Sequence, residues 1–135
     1  IKIIETENIK EQILGKNILK FLIIESNLEL LSKVECELKT IEDIELTKSF
    51  FDNIEIMKKG VNKGSAVESL GKYLDIDKSE IITFGDNHND LSMIKYAGMG
   101  VAMGNAEDIV KKNANFITCK NTEDGVAKAL SEILK

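Results

Sequence analysis

The sequence predicts an α/β fold, with a parallel sheet in its second half and an α+β layer in its first. Three observations carry this expectation. Beyond residue 60, short apolar strands alternate with helix-patterned stretches, the signature of βαβ units. Before residue 60 the order is instead strand, helix, strand, strand. The backbone chemistry also changes there: residues 1–59 hold one Gly and residues 60–135 hold eight, while Lys and acid counts barely differ, at 9 against 12 and 9 against 11.

In the first half, residues 3–14 read as a short strand followed by a helix. Residues 17–25 (NILKFLIIE) are apolar and β-rich, hence a strand. Residues 27–39 place Leu28, Leu31, Val34, Cys36 and Leu38 near helical spacing, with Asn27 or Ser26 as the cap. Residues 44–51 and 53–58 read as two antiparallel strands joined tightly at Asp52-Asn53.

In the second half, residues 63–74 form a helix with Ala66, Val67, Leu70, Tyr73 and Leu74 on one face. A strand at 80–84, a helix at 88–97, a strand at 99–103, a helix at 106–113 and a strand at 115–118 follow. Thr122 is expected to cap a last helix carrying Val126, Leu130, Ile133 and Leu134. Ligands of such sheets bind beyond the carboxyl ends of the strands.

Composition narrows the function classes. The chain has 135 residues, 43% hydrophobic and 30% charged, the make-up of a folded domain. No apolar run approaches the roughly eighteen residues of a membrane span, and residues 1–11 do not pattern as a signal peptide. The net charge is −5, with 18 Lys, no Arg and no Trp, which argues against nucleic-acid binding. Cys36 and Cys119 stand 83 positions apart with no His near either, so they read as unpaired thiols of a reducing, cytoplasmic compartment.

The sharpest motif is Gly85-Asp86-Asn87-His88-Asn89-Asp90, which follows one strand and opens a helix. Gly85 is expected to permit a sharp turn. Asp86 then stands at the strand's carboxyl end, where a hard cation or a phosphate would lie; magnesium takes oxygen ligands, usually one or two carboxylates plus water and substrate phosphate. Asp90 falls in the first helical turn with the Asn89 amide beside it. The plain alternative is a polar strand-to-helix turn in which Asp90 merely favours the helix dipole.

A second motif is Lys59-Gly60-Val61-Asn62-Lys63-Gly64-Ser65. Lys63 occupies the first turn of a helix, where a cation opposes the macrodipole by about 0.3–1 kcal/mol. The same place suits phosphate, because dipole, amides and ammonium all favour an anion; the alternative is a solvated surface Lys. The match to a Walker loop is poor. His88, the only histidine, reads as a turn-surface residue, since no nucleophilic triad can be assembled around it. Met93, Met99 and Met103 read as core fillers.

The blocks KGVNKGSAV (59–67), ITFGDNHNDLSMI (82–94), AGMGVAMGNA (97–106) and DGVAKAL (124–130) together resemble the haloacid-dehalogenase-like superfamily, most of all its Cof-like phosphatases. The resemblance implies a Rossmann-like core whose second half is residues 59–135, preceded at 1–58 by the later part of an α+β cap. It implies a magnesium-dependent phosphatase of small phosphomonoesters, sugar phosphates by default, working through an aspartyl-phosphate. In those terms Lys63 would steady the nucleophile and the phosphoryl oxygens. Asp86 would bind Mg2+, Asp90 would hold the metal's water shell or orient Lys63, and Asn89 would bind the phosphate side. The family's D-x-D-[GS]-T block is absent: the only D-x-D, Asp75-Ile76-Asp77, sits between a helix and a strand and lacks the Gly-Thr that should follow. The nucleophile is therefore expected outside this chain, and the chain alone is expected to be inactive. The competing classes are a non-catalytic module that binds phosphate, metal or a partner, and a P-type ATPase phosphorylation domain. A further expectation is that strand 80–84, lacking its neighbour, leaves an open edge for self-association or for pairing with a missing N-terminal half, unless a first-half strand covers it.

Overall fold

The computed structural model describes residues 4–135. The short strand expected at the start of 3–14 lies partly outside the described residues, and residues 4–6 have no regular structure. Helix α1 follows at Ile9–Ile13, with Asn8 Oδ1 accepting from the Glu11 amide at its start. Strand β1 (Phe21–Ile24) is shorter than 17–25. Helix α2 (Leu28–Leu38) is capped by Asn27, whose Oδ1 accepts from the Glu29 and Leu30 amides at 3.1 Å each, so Asn27 rather than Ser26 is the cap.

Strands β2 (Ile44–Thr47) and β3 (Asn53–Lys58) pair antiparallel, and β3 also pairs antiparallel with β1, giving the order β1-β3-β2. The expected strand 44–51 ends four residues early. The side chain of buried Asn53 explains this: its Oδ1 accepts from the Ser49 and Phe50 amides, and its Nδ2 donates to Ser49 Oγ at 3.0 Å. Those local bonds compete with a strand ladder and round the connection into a loop, leaving Phe50 and Phe51 exposed. Ile54 and Leu31 are buried where α2 crosses β3.

Helix α3 (Lys63–Leu74) ends at Asp75, which adopts the left-handed conformation at φ 55°. Asp77 then accepts from the Ser79 amide and hydroxyl and starts a 3₁₀ turn at Lys78–Glu80. The lone D-x-D is thus spent on ending one element and starting the next. The second sheet runs β4 (Ile82–Gly85), β5 (Met99–Ala102), β6 (Phe116–Ile117), all parallel and in the order β4-β5-β6. Glu80 belongs to the turn and not to β4. Between the strands lie α4 (Leu91–Tyr96) and α5 (Asp108–Lys111), both shorter than expected. The last helix, α6 (Gly125–Ile133), is preceded by a 3₁₀ turn at Asn121–Glu123 that contains Thr122; the residue at its start is Asp124, at φ 57°, so Thr122 does not cap it.

The second-half core is built from Ile94, Ala102, Met103, Ala106 and Val110, with Phe84 and Ala114 against them. Helix α3 packs on α4, which brings its N-terminus to the carboxyl end of β4. The first-half strands form their own sheet, so among the described residues none of them covers the outer edge of β4. No described helix is long and apolar enough to cross a membrane.

Candidate active site

The site is assembled where β4 ends. Gly85 closes the strand opposite Ala102, and Asp86 follows it. The expected reason for Gly85 was freedom to turn, but Gly85 is not among the glycines with positive φ. The need is for room: a Cβ at Gly85 would lie 2.5 Å from Asp90 Cβ. The chain then passes through a 3₁₀ turn, His88–Asp90, into α4.

Asp90 is the pivot. It is 4% exposed. Its Oδ2 accepts from the backbone amides of Asp86 at 2.9 Å and Asn87 at 3.1 Å, and its Oδ1 pairs with the Lys63 ammonium across 27 positions of sequence. Burial pushes the Asp90 carboxyl upward, but the Lys63 ammonium and the two amides outweigh it, and its pKa lies below the ordinary value.

Lys63 is placed by two devices. Asn62 and Ser65 form a capping box, with the Ser65 amide donating to Asn62 Oδ1 at 2.9 Å and the Asn62 amide donating to Ser65 Oγ at 3.1 Å. The Gly64 amide donates to Ser92 Oγ at 2.9 Å, tying the first turn of α3 to α4. The unfavourable position of a cation at a helix N-terminus is offset by Asp90, and half of the Lys63 side chain stays exposed.

Asp86 is held differently. Its Oδ1 accepts from Asn87 Nδ2 at 3.2 Å and its Oδ2 from Asn105 Nδ2 at 3.0 Å. Asn105 in turn accepts from the Asn121 amide at 2.9 Å, and the Asp86 carbonyl accepts from the Glu107 amide at 2.9 Å. Lys63, Asp86 and Asp90 are therefore brought together, directly for the first and last and through a backbone bond for Asp86. His88 is exposed, with its amide donating to Glu107 Oε1 at 3.3 Å. Cys36 is exposed, Cys119 is half-buried, and both are free thiols.

The donors were tested against a hard divalent cation. Both Asp86 oxygens are bonded only to neutral side-chain amides, leaving lone pairs with no cation competing for them. Both Asp90 oxygens are committed to Lys63 and to the chain itself. No group of three or more His, Cys, Asp or Glu among the described residues could hold a metal ion. The donor set fits a cation held by one carboxylate and water, as magnesium is, and not a full protein cage.

Between the two sheets runs a cleft of about 440 Å³, walled by Lys63, Asn89 and Ser92 on one side and by Glu45, Thr47 and Glu55 on the other. A second cleft of about 740 Å³ continues from it, sharing Leu46, Thr47 and His88, and opens beside Phe50 and Phe51.

Sequence reasoning assigned no role to Ser92, Asn105, Glu45 or Thr47. Asn105 lies within the block 97–106 that carries the resemblance, which was a usable signal, but its bond to half-buried Asp86, 19 positions away, exists only in the fold. Ser92 was not legible, because its partner is a backbone amide 28 positions away. Glu45 accepts from the Gly60 amide and Asn62 Nδ2, contacts that only the placement of β2 beside the 58–62 connection creates.

Comparisons with known proteins place the chain in a family. A phosphatase of Bacillus subtilis, 5-amino-6-(5-phospho-D-ribitylamino)uracil phosphatase YcsE, is 47% identical over 94 residues, covering 70% of this chain and 38% of its own length. A haloacid dehalogenase-like hydrolase from Bacteroides thetaiotaomicron superposes with a TM-score of 0.76 at 40% identity, over 96% of this chain and 48% of that one. A sugar phosphatase of haloacid dehalogenase subclass IIB superposes with a TM-score of 0.81 at 27% identity, over 91% of this chain and 46% of that one. The chain thus spans less than half the length of each. The sequence pattern of the haloacid dehalogenase-like hydrolases matches residues 1–130, so the resemblance carried by the four motif blocks is borne out, and this chain belongs to the haloacid dehalogenase-like hydrolases.

Proposed function

We propose that this chain is the C-terminal portion of a magnesium-dependent phosphatase of small phosphomonoesters, sugar phosphates foremost, whose nucleophilic carboxylate lies outside the chain. In this reading residues 1–58 are the later part of a cap and residues 59–135 the second half of the core. The observation that carries it is the Lys63–Asp90 ion pair set beside Asp86 at the carboxyl end of β4. Phosphoryl transfer depends on holding cationic groups where charge gathers on the transferred group's oxygens.

Lys63, its side chain half exposed, would face the phosphoryl oxygens, and Asp90 would hold its ammonium in place. Asn89 would contact the phosphate from the same wall of the cleft. Asp86 would hold magnesium together with water, and when bound the ion would neutralise charge on the phosphate. The names of relatives support the substrate class, since they act on phosphorylated small molecules, a ribityl phosphate among them.

The competing reading, a non-catalytic phosphate- or metal-binding module, draws on one observation: the only D-x-D is consumed in capping. Two measurements on the 135-residue chain decide. Magnesium-dependent turnover of p-nitrophenyl phosphate is expected to be absent, and turnover that disappears in Asp86→Ala would sink the placement of the nucleophile elsewhere. Inorganic phosphate with magnesium is expected to shift the amide resonances around Lys63 and Asn89; shifts confined to other regions would remove the phosphatase reading altogether.

A further inference from the structure

The two sheets are joined by a single stretch of chain, residues 59–62, between β3 and α3. The extensive packing of element on element lies within one half or the other, and between the halves run the two clefts. A joint of this kind swings unless something else ties it. Gly60, in the middle of the joint, sits at φ 80°, and a Cβ there would meet nothing within 4 Å. No neighbouring atom braces the chain at that point.

One side chain does tie it. Among the described residues, Glu45 on β2 is the only first-half side chain bonded to a residue beyond 58: its Oε2 accepts from the Gly60 amide at 3.2 Å and its Oε1 from Asn62 Nδ2 at 3.3 Å. The other bond across this boundary, from the Lys59 amide to the Asp43 carbonyl at 3.0 Å, only prolongs the β2–β3 ladder. A carboxylate has an oxygen for each of the two donors, and a charged acceptor makes each bond about twice as strong as a neutral one. One donor lies on the swivel and the other at the start of α3. Asn62 accepts from the Ser65 amide through Oδ1 at 2.9 Å, so the side chain that caps α3 also receives the tie from β2. The next residue is Lys63.

We infer that Glu45 is a positioning residue: by latching β2 to the Gly60 amide and the Asn62 side chain, it fixes the angle between the two sheets and the width of the cleft between β2 and Lys63. The Lys63 ammonium is held by Asp90 within the second half, so the latch sets the facing wall and not the ammonium. That this wall stands over a phosphate rests on the function proposed above.

The test is a measurement of backbone amide residual dipolar couplings in the 135-residue chain. In the wild type, the couplings of both halves are expected to fit one alignment tensor. In Glu45→Ala each half is expected to fit a tensor of its own and the common tensor to be lost, while the Gly60 amide exchanges with solvent about five-fold faster. Glu35→Gln removes a first-half carboxylate paired with Lys39 and Lys48 and is expected to keep the common tensor. A common tensor that survives Glu45→Ala, or one already lost in the wild type or in Glu35→Gln, overturns the latch. First-half couplings in Glu45→Ala that fit no single tensor overturn it as well, because Glu45 would then support its own sheet and not the angle between the two. None of these results touches the phosphatase reading, which falls instead if inorganic phosphate with magnesium leaves the amides around Lys63 and Asn89 of the wild type unshifted.

Discussion

Removing the Asp90 carboxylate is the most informative perturbation of the site. In Asp90→Ala the amides of Asp86 and Asn87 lose their acceptor, in a place where Asp90 is only 4% exposed. Stranding a buried donor costs about 1–3 kcal/mol. The loss of the ion pair adds little, about 1 kcal/mol, because Lys63 is half exposed and regains water. Together these give about 2–4 kcal/mol for Asp90→Ala. Asp90→Asn keeps one oxygen for the two amides but loses the charge and turns an Nδ2 donor toward the Lys63 ammonium, so about 1–2 kcal/mol is expected. Urea denaturation at pH 7 checks both values, with the alanine midpoint about 2 M lower for a slope near 1.5 kcal/mol/M. The pH dependence has a definite sign. The folded pKa of Asp90 lies below its ordinary value of 3.8, so the carboxylate's contribution is fully present above that value and is lost as pH falls through the folded pKa. The gap between wild type and Asp90→Asn should therefore be constant at neutral pH and narrow only in acid. An asparagine variant as stable as wild type at pH 7, or a gap that does not narrow below pH 3.8, would refute the placement of Asp90 as a charged pivot.

Other outcomes follow from the same contacts. Gly64→Ala would set a Cβ 2.6 Å from the Ser92 carbonyl oxygen; prying α3 from α4 should cost about 2–3 kcal/mol by thermal or chemical melting, and an unchanged melt would contradict the packing. Asn105→Ala removes the clamp between Asp86 and the Asn121 amide and should cost about 1 kcal/mol, with amide-shift changes at both Asp86 and Asn121; changes at only one would show that Asn105 does not bridge them. The open side of β4 should make the chain self-associate or capture an N-terminal fragment of a relative; light scattering that finds a lasting 15.0 kDa monomer with β4 amides protected from exchange would exclude an open edge.

The second half of the fold was legible because parallel strands and the helices between them leave plain patterns, and because Gly85, Asp86 and Asp90 sit within one turn of each other. Element ends were not. The strand expected at 44–51 stops at Thr47 because the Asn53 side chain captures the amides of Ser49 and Phe50, and sequence patterning does not reveal which way a side-chain amide will bond. Thr122 looked like a cap by residue type, yet the helix starts from Asp124 in a left-handed conformation. The pairing of Lys63 with Asp90 came only through the family resemblance, since no local spacing links residues 27 apart.

The charges at the carboxyl end of β4 explain why the chain's residues are arranged in two tiers. The described cluster supplies one cation, Lys63, against two carboxylates. Asp90 neutralises Lys63 and fixes it, at the expense of some of the attraction Lys63 would offer a phosphate. Asp86 is left bonded to neutral amides alone, so a phosphate approaching Lys63 meets a net negative surrounding. Under the proposed function, such a cluster would favour an anion once another positive charge joined it, and Asp86 would be the residue to hold that charge. Asn105 and Asn87 keep that carboxylate fixed without neutralising it, which a Lys in either place would do. In the proposed reading the neutral clamps on Asp86 and the charged partner on Asp90 divide the work: one carboxylate would be kept free to hold a cation, while the other positions the Lys63 ammonium.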